Sequence, residues 1–254
     1  DEPEFKVAVE FGRRMREAGF MGITGAGDGI MGAAQKGSGR DNSFGLNINL
    51  PFEQSANETI DGDEKLINFN YFFTRKLAFV KESDALAALP GGFGTMDELF
   101  EALTLIQTGK AQIVPIVLLD REGGTYWKTW FQFVQDHLFR LGLISEGDFN
   151  LFKMTTDMDE AVEEVIGFYR NYHSYRYVHK KLVMRLQHPV TDEMLTRLNR
   201  DFSDLLDEGE FAACDALPEE RDEVHLKDMP RLICRKKRGI AGRFRELINV
   251  VNQY

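Results

Sequence analysis

Cysteine is almost missing from this chain: 254 residues hold two, Cys214 and Cys234. Two thiols so placed make no metal spacing and no disulfide framework, and both are expected to be reduced and structural. The five histidines (His137, His173, His179, His188, His225) have no HxH, HExxH or CxxC companions. A structural zinc or a haem is therefore not expected, nor is any other metal or cofactor. No apolar run approaches the ~20 residues a bilayer span requires. No signal-peptide pattern opens the chain either, so a cytoplasmic protein without a membrane partner is expected. Positive charge is also in deficit, with 31 basic against 41 acidic side chains and a net charge of −10. That field repels a nucleic acid polymer, so any phosphate binding must come from a local site.

What the chain does have is core material, 43% hydrophobic and 11% aromatic. Residues 1–172 alternate short apolar runs with helical periods. Ala8, Phe11, Met15 and Ala18 recur at helical spacing before Gly19. Strands are expected at 20–24, 44–51, 84–89 and 113–120, with Pro115 at a strand start or an edge. Helices are expected at 65–80, after residue 95, near 125–140 and at 158–170, the last behind an Asp157–Glu160 capping-box pattern. Such alternation predicts an α/β fold, a doubly wound, mostly parallel sheet covered on both faces. A domain of this kind ordinarily opens with a strand, whereas this chain opens on a helix, so an initial strand is expected to be missing. From 173 to 254 the pattern changes to a small α+β module. It has a strand at 176–187, a helix carrying Met194, Leu198, Phe202 and Leu205, a weak strand near 211, a strand in "PRLICRK" and a last helix holding Phe244, Leu247 and Val251.

Two glycine turns carry the chemistry. In "TGAGDGIMG", which begins at Thr24, Gly25, Gly27, Gly29 and Gly32 permit tight turning, and in "PGGFGT" Gly91, Gly92 and Gly94 precede Thr95. Both fall at expected strand ends, where open parallel sheets bind ligands, and both lead into helices whose first N–H groups are unpaired. A phosphomonoester suits them. Neither is a P-loop, because no Lys-Ser/Thr follows, and the spacing does not fit a dinucleotide fingerprint. Glu98 admits two readings. Thr95-Met-Asp-Glu98 fits a capping box; alternatively, Glu98 faces the phosphate loop and acts on a sugar carbon. Arg75 and Lys76 are candidates for the neighbouring cation, or an ordinary solvated helix end. Asp97 and Glu101 fall on other faces and are expected to be solvated. "RKKR" (235–238) reads as a solvated strand end or an anion-recruiting patch, and Tyr172, Tyr175 and Tyr177 as packing residues.

PGGFGTMDE (90–98) resembles the PGGxGTxxE signature of the Lonely Guy (LOG) family, phosphoribohydrolases that release the base from nucleoside 5′-monophosphates, cytokinin ribotides among them. "TRK" (74–76) is similar to that family's Arg-Lys helix motif and "TGAGDGIMG" to its GGGxxGLMG turn. "GLNINLPFEQ" and "LTLIQTGK" resemble its longer bacterial members, and the likeness spans roughly residues 4–170. The resemblance implies a Rossmann-like fold and a homodimer or higher homo-oligomer with the site at or near the interface. It implies Arg75 and Glu98 as the catalytic pair. Gly91, Gly92, Gly94 and Thr95 become the phosphate cradle, Lys76 a supporting cation, and Thr24, Gly25 and Gly27 substrate-binding. The alternative is a nucleotide sensor that binds without cleaving. Such proteins are often labelled lysine decarboxylases, but no pyridoxal-phosphate lysine context is present. Ala26 stands where the family has glycine, and the family's opening strand and FGS-type loop do not occur in this chain.

Overall fold

A computed structural model describes residues 2–49 and 55–254. The end of the strand expected at 44–51 and the "PFEQ" stretch lie outside the described residues. The chain divides into two compact units that interleave in sequence: residues 1–105, 114–144 and 152–165 form one, and 106–113, 145–151 and 166–254 the other.

The first unit follows a βα rhythm after an opening helix. Its elements are α1 (Pro3–Glu17), β1 (Gly22–Thr24), α2 (Ile30–Ser38), β2 (Ser43–Ile48), β3 (Leu66–Phe69), α3 (Phe72–Lys81), β4 (Leu86–Ala88), α4 (Phe93–Gln107), β5 (Ile116–Leu119), α5 (Tyr126–Phe133), β6 (Lys153–Thr155) and α6 (Met158–Phe168). All strand pairs here are parallel, in two three-stranded sheets ordered β1-β2-β3 and β4-β5-β6. This is the mixed α/β, parallel-strand architecture expected. The reason is visible in β5, whose Ile-Val-Leu-Leu is buried at every position. A strand hidden on both faces needs a continuous apolar run and helices on either side. Val117 and Leu119 share a core with Ala8, Phe11 and Met15 of α1, Ala33 of α2 and Ala161, Val162 and Val165 of α6. Ile116 and Leu118, which alternate to the opposite face, are buried as deeply.

One expectation fails here. Residues 65–80 are not one helix: Leu66–Phe69 pair with Gly45–Ile48 of β2, and α3 starts only at Phe72. Asn68, a weak helix former, instead accepts a hydrogen bond from Asn47 Nδ2 at 2.9 Å. Pro115 does precede a strand, and its carbonyl accepts from Leu86 N at 3.0 Å.

The second unit is an antiparallel sheet, β7 (Tyr172–Val178), β8 (Lys181–Leu186), β10 (Arg231–Lys236) and β9 (Leu206–Cys214) in that order, with α7 (Asp192–Asp201) and α8 (Ala241–Val251). The single strand expected at 176–187 is in fact this β7–β8 hairpin. Val178 pairs with Lys181 across a two-residue turn, and His179 stands at φ 55°. "RKKR" is engaged within the unit: Arg235 pairs with Glu208, Lys236 lies 5.2 Å from the Phe244 ring, and Lys237 Nζ donates to the Asp204 carbonyl. Tyr172 and Tyr175 pack edge-on against Phe168 and Phe244. Both cysteines are free, and burial pushes the Cys234 thiol up to about 12. Among the described residues no helix is long and apolar enough to cross a membrane.

Candidate active site

The first glycine turn leaves the end of β1. Thr24 Oγ1 accepts the Ala26 N–H at 3.1 Å, so this hydroxyl closes the turn. Ala26 sits at φ 63°, in the left-handed region that favours glycine, and Gly29 follows at φ 71° as the N-cap of α2. The turn is held from within by Asn57, which is buried. Its Nδ2 reaches the carbonyls of Ala26 (2.9 Å) and Gly27 (3.1 Å) and Oε1 of buried Gln35 (2.6 Å). Gln35 in turn donates to the Phe44 carbonyl at 3.0 Å. These bonds draw the Ala26 and Gly27 carbonyls toward the buried amide.

The second turn leaves the end of β4. α4 begins at Phe93, so Thr95 lies inside its first turn and cannot be its N-cap. The capping-box reading of Thr95–Glu98 thereby falls. Gly91 has an internal reason to be glycine, since a Cβ there would meet Thr95 Oγ1 at 2.2 Å. Gly92 and Gly94 have none: their φ angles are not positive, and nothing lies within 4 Å of where a Cβ would stand. Both are exposed, beside the unpaired N–H groups of a helix start.

Between the two turns stands Arg75. Its Nη1 comes within 3.6 Å of the Cβ position of Gly25, and its Nη2 lies 3.8 Å from Glu98 Oε1. The guanidinium rests near the Phe72 and Phe79 rings, 5.3 and 5.8 Å from their centroids. Arg75 Nε is buried and, among the described residues, has no acceptor. The fold thus brings Gly25, Arg75 and Glu98 together, with Gly94 and Thr95 about one turn before Glu98 on α4 and Gly91 and Gly92 just ahead of that helix. Lys76 is turned elsewhere. It pairs with Asp97 at 2.7 Å and Glu101 at 3.1 Å, so those two carboxylates are not simply solvated. Burial pulls the Lys76 ammonium down, but its bonds to Asp97 and Glu101 outweigh that and hold its pKa above the ordinary value. Glu98 is the opposite case. Burial raises its carboxyl above the ordinary glutamate value, against the opposing pull of Lys76 and Arg75.

Two further residues shape the second turn, and no motif announced them. The buried Asp120, just after β5, accepts the Tyr126 N–H at 3.0 Å through Oδ2, and the Tyr126 hydroxyl donates to the Gly91 carbonyl at 2.5 Å.

Comparison with known proteins supplies a family. A family model described as "Possible lysine decarboxylase" matches residues 29–165. A protein of Oryza sativa subsp. japonica, described as probable cytokinin riboside 5′-monophosphate phosphoribohydrolase LOGL5, is 33% identical over 144 residues, 55% of each chain. The chain thus spans about half the length of that relative. A second rice protein of the same description, LOGL2, is 25% identical over 185 residues, 71% of this chain and 70% of its own. Among solved structures, the molybdenum cofactor binding protein of Rippkaea orientalis aligns with a TM-score of 0.45 at 19% identity, over 64% of this chain and 86% of its own.

Proposed function

The chain belongs to the Lonely Guy family, whose members carry the label possible lysine decarboxylase, and from that premise we propose that it hydrolyses nucleoside 5′-monophosphates to free base and ribose 5-phosphate. The observation that carries this reading is the Arg75–Glu98 pair, 3.8 Å apart beside a turn whose Gly92 and Gly94 the fold itself does not require. The N–H groups of 92–95 bind the 5′-phosphate, which uses binding energy to fix the ribose. Breaking the N-glycosidic bond builds positive charge at the anomeric carbon, in an oxocarbenium-like state. Glu98 stabilises that charge and accepts a proton from water as the water oxygen bonds to the anomeric carbon. The bonding electrons leave with the base, which takes up a proton. Arg75 joins Lys76 in favouring the ionised form of Glu98 against its burial.

The decarboxylase label has less support. A Schiff-base lysine must be a free amine, and Lys76 is held charged by two carboxylates.

The functional unit is proposed to be a homodimer. α3 buries none of its ten residues, and Phe72, Phe73 and Leu77 are exposed. A second copy laid on this face would cover the helix that carries Arg75.

The test is release of ribose 5-phosphate from a panel of nucleoside 5′-monophosphates, by the parent and by Glu98→Gln. Gln keeps the shape of the side chain and cannot accept the proton. Release is expected to fall by roughly 10²-fold or more with nucleotide binding retained. An active Glu98→Gln would remove the catalytic assignment. Nucleotide binding without any release by the parent would favour a sensor.

A further inference from the structure

Resting on that reading, we infer that Tyr126 is a positioning residue for the phosphate turn, anchored by Asp120. An anion cradle built from backbone has a built-in hazard. Each peptide contributes a carbonyl as well as an N–H, and a carbonyl turned to the ligand repels it. In a trans peptide the two point in opposite directions, and the chain has no cis bonds among the described residues. Fixing the Gly91 carbonyl therefore fixes the direction of the Gly92 N–H. The Tyr126 hydroxyl does this, donating to the Gly91 carbonyl at 2.5 Å. Among the described residues no acceptor takes the Gly92 N–H, which leaves it for a ligand.

The tyrosine is itself held in place. Asp120 Oδ2 accepts the Tyr126 N–H at 3.0 Å, while Oδ1 accepts that of Arg121 at 2.8 Å. The ring packs edge-on against Trp127, with centroids 4.9 Å apart, and Trp127 Nε1 donates to the Leu119 carbonyl at 3.2 Å. Gly124 allows the loop to cross the carboxylate: a Cβ there would lie 2.1 Å from Asp120 Oδ1. The hydroxyl is thus fixed from the end of β5 and steers the turn at the end of β4.

The test substitutes Tyr126→Phe, which keeps the ring and removes only the hydroxyl. Two readouts are taken: steady-state hydrolysis, and calorimetric binding of inorganic phosphate. KM and the phosphate Kd are expected to rise together, on the order of tenfold, the size of one lost hydrogen bond, with kcat within about twofold. A general loosening of the fold would instead lower kcat and melting temperature and leave phosphate affinity unchanged, and that result overturns the inference. So does a Tyr126→Phe protein indistinguishable from a parent that binds phosphate and hydrolyses nucleotides; the proposed function then stands alone. A parent that neither binds phosphate nor releases ribose 5-phosphate removes both.

Discussion

Glu98 stands between opposed influences, and that conflict has a measurable consequence. Burial raises its carboxyl; Lys76 and then Arg75 draw it down; Glu101 and Asp97 push it up again. The proposed chemistry needs the ionised form, so activity is present above the raised pKa and lost as pH falls through it. The acid limb of the kcat/KM profile is expected above the ordinary glutamate range. Lys76→Met removes the foremost opposing cation and leaves Asp97 and Glu101 without a partner, so that limb moves to still higher pH. Paired pH–rate profiles check this, and a Lys76→Met limb at or below the parent's would contradict it. At this scale the sequence was legible where a residue is named by its chemistry. Arg75 and Glu98 are a charge pair in a motif, and they do meet. Asn57, Gln35 and Tyr126 were not legible, because each acts by donating to a backbone carbonyl. Many side chains donate, and only the fold says which carbonyl is within reach.

Elements came through where periodicity is local. In α1, α4, α7 and α8 an apolar stripe recurs at helical spacing within the segment itself, so the signal is local. β3 was lost within an expected helix because its case rests on β2, whose paired residues precede it by 21 positions. The α6 signal was half realised. Glu160 N donates to Asp157 Oδ1 at 2.9 Å, but the Glu160 carboxylate accepts from Thr155 rather than closing the box. The contact between α1 and α2 is a further thing periodicity hides. A Cβ on Gly12 would lie 2.3 Å from the Ala34 carbonyl oxygen, and one on Gly37 would lie 2.0 Å from that of Val9. The two helices cross at backbone contact, and neither glycine is there for a turn. Gly37→Ala must push them apart, at a cost of about 2 kcal/mol or more. Because α2 begins directly after the first glycine turn, substrate affinity is expected to weaken as well. Denaturant unfolding with a parallel KM measurement decides it, and unchanged stability would contradict the close crossing.

At the scale of the whole molecule, charge and apolar surface pull in different directions. A net charge of −10 repels other copies as it repels anionic ligands. Association must then rest on a local apolar face strong enough to overcome that field, and α3 supplies one. Phe73 is 69% exposed and Leu77 63%. Such side chains on one helix with no buried residue are unusual for a surface facing only water. The same helix presents Arg75 toward Glu98, so the face proposed to hold a partner and the site proposed to hold the substrate share an element. Covering it would exclude water from one side of the proposed catalytic pair, strengthening the Arg75–Glu98 interaction. Leu77→Glu buries an unpaired charge in that contact while adding only a solvated carboxylate to an isolated chain. It is expected to yield a folded monomer, with far-ultraviolet dichroism unchanged, and to lose most of its hydrolysis. Sedimentation of parent and variant over a concentration series reads the first part, and the ribose 5-phosphate assay on the same samples reads the second. A parent that sediments as a monomer, or a Leu77→Glu protein that still associates as the parent does, would move the interface off α3. A monomeric variant with full activity would leave the interface on α3 and detach catalysis from it.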